Sequence, residues 1–226
     1  MSSIIFVHGL RGNREATWTK DGVLWPKELL KKDIPNTRII GYGYDSGIVH
    51  ADTAAAVQGS VEHDAQRLCD LLHGLRVDTN TVSHSRAAMT SQYLIHRQTD
   101  RPIVTVGHSL GGLVLAQVVH GGSAAGAGNS IHSISEKVVG MLFLGTPFYG
   151  SPTATWGESF RRILDVVRRD TDRNTLNNLK PDSQLLKPLR DGFPEAIQKR
   201  GQSDAKIGVS YCFEKLKTYG VVSDVP

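Results

Sequence analysis

PIVTVGHSLGGLVLAQVV, running from Pro102 to Val119, is the stretch that decides the fold. Ile103 to Val106 is a β-branched run suited to a buried strand, and Leu113 to Val119 continues as an apolar helix. Between them Gly107, His108, Ser109, Leu110 and Gly111 read G-x-S-x-G, a strand, a sharp turn and a helix in immediate succession. The glycines have a physical reason. The turn forces the serine into a strained backbone conformation, and side chains beside it would collide with the strand or helix closing around it. Such a turn lifts the Ser109 hydroxyl above the sheet at a helix N-terminus, where the dipole and free N–H groups favour developing negative charge. Ser109 is therefore the candidate nucleophile. A bare G-x-S-x-G also occurs as a plain glycine-rich turn, and it is the flanking strand and helix that give this one chemical meaning.

Working outward, short β-branched runs recur at Ile4 to Val7, Thr37 to Tyr42, Val138 to Leu144 and Ile207 to Phe213, with helical patterns between most of them. Alternation of strand and helix implies an α/β fold with a mostly parallel sheet and helices on both faces. Val61, Ala65, Leu68 and Leu72 form one helical stripe that can pack on such a sheet. Trp156, Phe160, Ile163, Leu164 and Val167 form a second, with Arg161, Arg162, Arg168 and Arg169 mostly off it, a wet face. The 226 residues, 39% hydrophobic, suit a single domain with a sizeable core. Two stretches break the pattern. Residues 77–98 are polar and weakly periodic and read as an insertion in a helix that otherwise leads to the strand near Arg101. Residues 121–130, GGSAAGAGNS, read as a flexible connection without chemistry.

Several function classes are disfavoured. No run approaches the ~20 apolar residues of a membrane span, so the chain reads as soluble or at most peripheral to a membrane. The N-terminus, MSSIIFVHGL, reads as a first strand rather than as a secretory signal. Cys69 and Cys212 have neither metal-ligand spacing nor a disulfide framework. No metal or organic cofactor is implied. The net charge of +4 comes without any nucleic-acid-binding motif, and a solvated basic surface accounts for it.

A second signal lies at the other strand end. IIFVHGLRGN, Ile4 to Asn13, places a His-Gly loop after the first strand. There the backbone N–H of Gly9 or Leu10 would converge with that of Leu110 on an oxyanion, each donor worth roughly 3–4 kcal/mol in the chemical step. His8 reads as an orienting group in this loop, and His108 as packing or bonding beneath the elbow.

With these motifs stand Trp18, WPKELL from Trp25, RIIGYGYD from Arg38, GHSLGGLV from Gly107, and FLGTP from Phe143 with Gly150 and Ser151 beyond it. Together they resemble a group of α/β-hydrolases, the mitochondrial serine active site-containing lipase-like proteins. The hydrolase-like N-terminal domains of fungal NLR-type receptors are similar too. The resemblance runs in order from Ile4 to about Val222, outside residues 77–98. One departure is Phe148 and Tyr149, where the family commonly has His-Arg.

The resemblance implies a serine esterase or lipase acting on a small-molecule or lipid ester. The carboxylate is Glu214, at the end of the strand VSYCF, with Asp224 as runner-up; it would orient a histidine that follows it. None does. All nine histidines lie at or before His132. His120, eleven residues along the helix from Ser109, is roughly 16 Å from it at ~1.5 Å per residue, and His132 precedes a strand and would enter from the wrong direction. The reading is therefore of a hydrolase domain lacking its C-terminal end. The alternative is a non-catalytic binding or signalling module on the same fold. The Trp156 helix reads as core packing, or as a lid lining an acyl pocket. Localisation follows the family only, cytosol first, with mitochondrion or the endoplasmic reticulum membrane surface as alternatives. Acyl length, head group and oligomeric state are left open.

Overall fold

A computed structural model of the chain describes residues 2–46, 54–81, 101–146, 187–203 and 205–212. β1 (Ser2–Val7) starts the chain, and a 3-10 turn at Ala16–Trp18, a hairpin of β2 (Thr19–Lys20) with β3 (Val23–Leu24), a π-helical turn at Pro26–Leu30 and the short α1 (Lys31–Asp33) lead to β4 (Thr37–Tyr42). There follow α2 (Ala54–Thr81), β5 (Ile103–His108), α3 (Leu110–Ala124), α4 (Ser130–Ser135), β6 (Val138–Leu144), α5 (Lys187–Gly201) and β7 (Gly208–Cys212). The central sheet has the order β4-β1-β5-β6-β7, and every pairing in it is parallel. This is the α/β architecture expected from the alternation of strand and helix patterns.

Strand order places the site. The chain passes from β1 outward to β4, then returns to the other side of β1 as β5 and continues to β6 and β7. The order reverses between β1 and β5, and in open parallel sheets the crevice for ligands lies beyond the carboxyl ends of the strands at such a reversal. Val7 is in register with Gly107. The next residues of both strands therefore leave the sheet side by side, and the His-Gly loop meets the serine turn there.

Two apolar layers sandwich the sheet. One face joins Ile5, Val7, Ile103, Met141 and Phe143 to α2, α3, α4 and α5 through Leu68, Leu113, Ile134 and Phe193. The other gathers Ile4, Phe6, Val106 and Trp18, with Leu24, Trp25 and Leu30 packed against them. The α2 stripe Val61, Ala65, Leu68 and Leu72 is buried throughout, as its spacing implies. The elements at residues 16–33 and α5 carry no expectation from the sequence. In α5, Leu189, Phe193 and Ala196 are buried at helical spacing while Pro194, inside the helix, faces outward.

The two stretches read as irregular differ in detail. α2 runs on to Thr81, so Val77 to Thr81 are helical; residues 82–98 lie outside the described residues. The glycine-rich stretch is mostly ordered structure. Gly121 to Ala124 close α3, Asn129 caps α4 by accepting from the Ile131 N–H at 3.1 Å, and Ser130 begins that helix. The reason is close packing: a methyl group added at Gly122 would collide with Ser135, so the glycine lets α4 lie directly on α3. Trp156 to Val167, Phe148, Tyr149, Phe213, Glu214 and Asp224 lie outside the described residues.

Candidate active site

Ser109 sits where β5 ends and α3 begins, with φ 50° and ψ −120°. Few L-residues adopt this conformation, because Cβ then crowds the neighbouring backbone. Its N–H donates to the Leu144 carbonyl at 2.9 Å, fixing the turn to the end of β6, and its carbonyl accepts the Gly112 N–H at 3.0 Å. The side chain does not cap the helix, and the residue is half-buried. The hydroxyl is thus held at the open edge of the sheet and not spent on its own helix. The N–H groups of Leu110 and Gly111 stand in the first turn, ahead of intrahelical partners.

The glycines show why the turn can close. A methyl group added at Gly111 would collide with the carbonyl oxygens of Val7 and His8, so α3 starts directly against the end of β1. At Gly9 an added Cβ would lie 2.8 Å from the Ser109 Cβ. The His-Gly loop therefore rests on the serine. Its course is a tight turn: the Gly12 N–H donates to the Gly9 carbonyl at 2.9 Å, and Arg11 adopts φ 52°. The structure brings Ser109, Leu110, Gly9 and Leu10 together at one edge of the sheet.

His8 is 1% exposed. Its Nε2 accepts the Tyr44 N–H at 3.4 Å, which leaves Nδ1 as the protonated nitrogen, donating to the Gly9 carbonyl at 2.9 Å. Both ring nitrogens are occupied, and the ring stacks on Tyr44 with centroids 4.5 Å apart. An orienting role fits this arrangement. His108 is half-buried, its ring edge-on to Trp18 at 6.4 Å. Two other histidines are placed away from the serine: the His120 ring packs against Gly192 of α5, and His132 Nδ1 lies 3.0 Å from the Gly122 carbonyl at the far end of α3. Gly122 is thirteen residues beyond Ser109, roughly 20 Å along the helix at ~1.5 Å per residue.

Tyr44 is the residue here that sequence reasoning missed. It stands in the GYGYD string, where an aromatic at a strand end reads simply as core. Burial pushes its phenol well above the ordinary range, with a smaller contribution from Asp64, so the hydroxyl remains a proton donor. Tyr42, stacked on Tyr44 at 5.5 Å, is pushed up to about 12 by the same causes. A cavity of about 570 Å³ lies along β4, floored by Phe6, Trp18, Leu24 and Ile39 and edged by Arg14 and Arg38. Its lining includes neither Ser109 nor the residues facing it. Among the described residues no group of three or more His, Cys, Asp or Glu is placed to hold a metal ion, and no helix is long and apolar enough to cross a membrane.

No family model matches the chain. It is similar to protein SERAC1. The Bos taurus protein is 28% identical, the match covering 96% of this chain and 31% of that protein, and the Homo sapiens protein is 26% identical over the same shares. The Danio rerio protein is 26% identical over 85% of this chain and 28% of its own length. The chain thus spans about a third of the length of the curated relatives it matches. The resemblance read from the motifs is supported on the side of the serine active site-containing proteins.

Proposed function

We propose that this domain is a serine hydrolase that cleaves an acyl ester, of a small molecule or a lipid, through an acyl-enzyme on Ser109. The observation that carries the reading is the backbone of Ser109, held at φ 50° and ψ −120° at the end of β5 with Gly9 against its Cβ. In the reaction the Ser109 oxygen attacks the ester carbonyl and its proton passes to a base. The carbonyl oxygen gains negative charge beside the N–H of Leu110 and that of Gly9 or Leu10. Collapse expels the alcohol, and water then releases the acid by the same route.

In the chain order of serine, acid and histidine that the resemblance implies, the base would come after Glu214, whose carboxylate would orient it. Neither His120 nor His132 takes that part, given their places on α3 and α4. Without such a histidine a serine triad loses on the order of a million-fold in rate, roughly 8 kcal/mol of transition-state stabilisation at ~1.36 kcal/mol per decade. The test is hydrolysis of p-nitrophenyl butyrate by the 226-residue chain and by a form extended through the next encoded histidine, each beside Ser109→Ala. Turnover by the extended form alone, abolished by Ser109→Ala, is the expected result. If neither form exceeds its alanine control, ester hydrolysis is ruled out for this substrate class, and a binding or signalling role becomes the better account.

A further inference from the structure

We propose that Tyr44 is a positioning residue that aims the oxyanion donors of the His-Gly loop, an inference that rests on the hydrolase reading above. Two peptide planes decide where those donors point. In a planar trans peptide the N–H is antiparallel to the carbonyl on the other side of the bond. Holding the His8 carbonyl therefore aims the Gly9 N–H, and holding the Gly9 carbonyl aims the Leu10 N–H.

Tyr44 acts on both. Its hydroxyl donates to the His8 carbonyl at 2.8 Å, which fixes the first plane directly. Its ring stacks on the His8 imidazole at 4.5 Å and 18°, and its N–H donates to Nε2 at 3.4 Å. These two contacts keep the imidazole where Nδ1 donates to the Gly9 carbonyl at 2.9 Å, and together with the Gly12 N–H, which donates to the same oxygen at 2.9 Å, this holds the second plane. The same segment holds the loop further on, since the Arg11 N–H donates to the Ser46 carbonyl at 3.4 Å.

The clamp is itself anchored. Tyr44 stacks on Tyr42, and the Tyr42 hydroxyl donates to the Asp64 carbonyl of α2 at 3.3 Å. The stack thus joins the loop to a helix packed on the sheet. Such preorganisation acts on charge that develops in the transition state, so its loss is expected in kcat and not in substrate binding.

The test uses Tyr44→Phe, which keeps the stack and removes the hydroxyl, and Tyr44→Leu, which removes both. In a form that turns over p-nitrophenyl butyrate, kcat is expected to fall about 10-fold for Tyr44→Phe and about 100-fold for Tyr44→Leu, with KM unchanged within about twofold. Independently of turnover, the backbone order parameters of Gly9 and Leu10 are expected near the rigid value of about 0.85 in the wild type and below about 0.6 in Tyr44→Leu, with α3 unchanged. A wild-type kcat in Tyr44→Phe, a loss confined to KM, or a loop as rigid in Tyr44→Leu as in the wild type overturns the proposal. Absence of Ser109-dependent turnover in every form instead overturns the hydrolase reading, and the order parameters then decide the clamp alone.

Discussion

Replacing Ser109 by glycine should make the protein more stable than replacing it by alanine, although both remove the hydroxyl. Alanine keeps the Cβ and so keeps the strain of φ 50° and ψ −120°, a conformation whose cost is about 1–3 kcal/mol for a residue with a side chain. Glycine releases that strain but adds about 0.5–1 kcal/mol of chain entropy to the unfolded state. The difference leaves glycine ahead by up to about 2.5 kcal/mol, and by about 1 kcal/mol at the middle of both ranges. At roughly 2–4 °C per kcal/mol for a chain of this size, Tm should rise by about 2–4 °C over the alanine variant, and by no more than about 10 °C. Urea unfolding of the two variants, followed by circular dichroism, gives the difference directly, and equal m-values would license the comparison. A glycine variant less stable than the alanine variant would mean that position 109 stores no strain, and the structural basis for singling out this serine would be gone.

Two further expectations concern the scaffold. The Arg200 guanidinium donates to the carbonyls of Ala205, Ser135 and Val138 at 2.9–3.1 Å and to Glu136 Oε1 at 3.2 Å, joining α5 to the start of β6. Arg200→Met should cost about 2–3 kcal/mol, because partly buried acceptors lose a charged donor, and a denaturant midpoint equal to the wild type's would refute that role. Cys69 is fully buried, and burial, with a smaller contribution from Asp70, pushes its thiol up to about 12. The folded state then keeps a proton that the unfolded chain sheds from about pH 9, so stability is complete below pH 9 and declines above it. Between pH 9 and 10 the loss is roughly 1 kcal/mol at ~1.36 kcal/mol per pKa unit; Cys69→Ala should be less stable overall but should lose that pH slope, and an unchanged slope would contradict the account.

Much of the fold was legible because the central strands β1 and β5 are largely buried and read as short apolar, β-branched runs. Thr37 to Tyr42 and Val138 to Leu144 are observed with the bounds the sequence implied. The elbow was legible because glycine is required where α3 meets β1. Composition misled at residues 121–130: glycine marks both flexible chain and close helix contact, and only the position of Ser135 against Gly122 distinguishes them. α5 was hidden by Pro194, which reads as a helix breaker but is tolerated on an exposed face. Tyr44 was illegible for a different reason. Its significance lies in contacts to His8, 36 positions away in sequence, and no local pattern encodes them.

The central claim, that Ser109 is an activated nucleophile, is tested most directly by treating the full-length protein with a fluorophosphonate and mapping the adduct by mass spectrometry. The account predicts one phosphonylated residue in this domain, Ser109, with labelling lost in Ser109→Ala and in heat-unfolded protein. A folded protein with no adduct at Ser109, or with labelling that persists in the alanine variant, would contradict it.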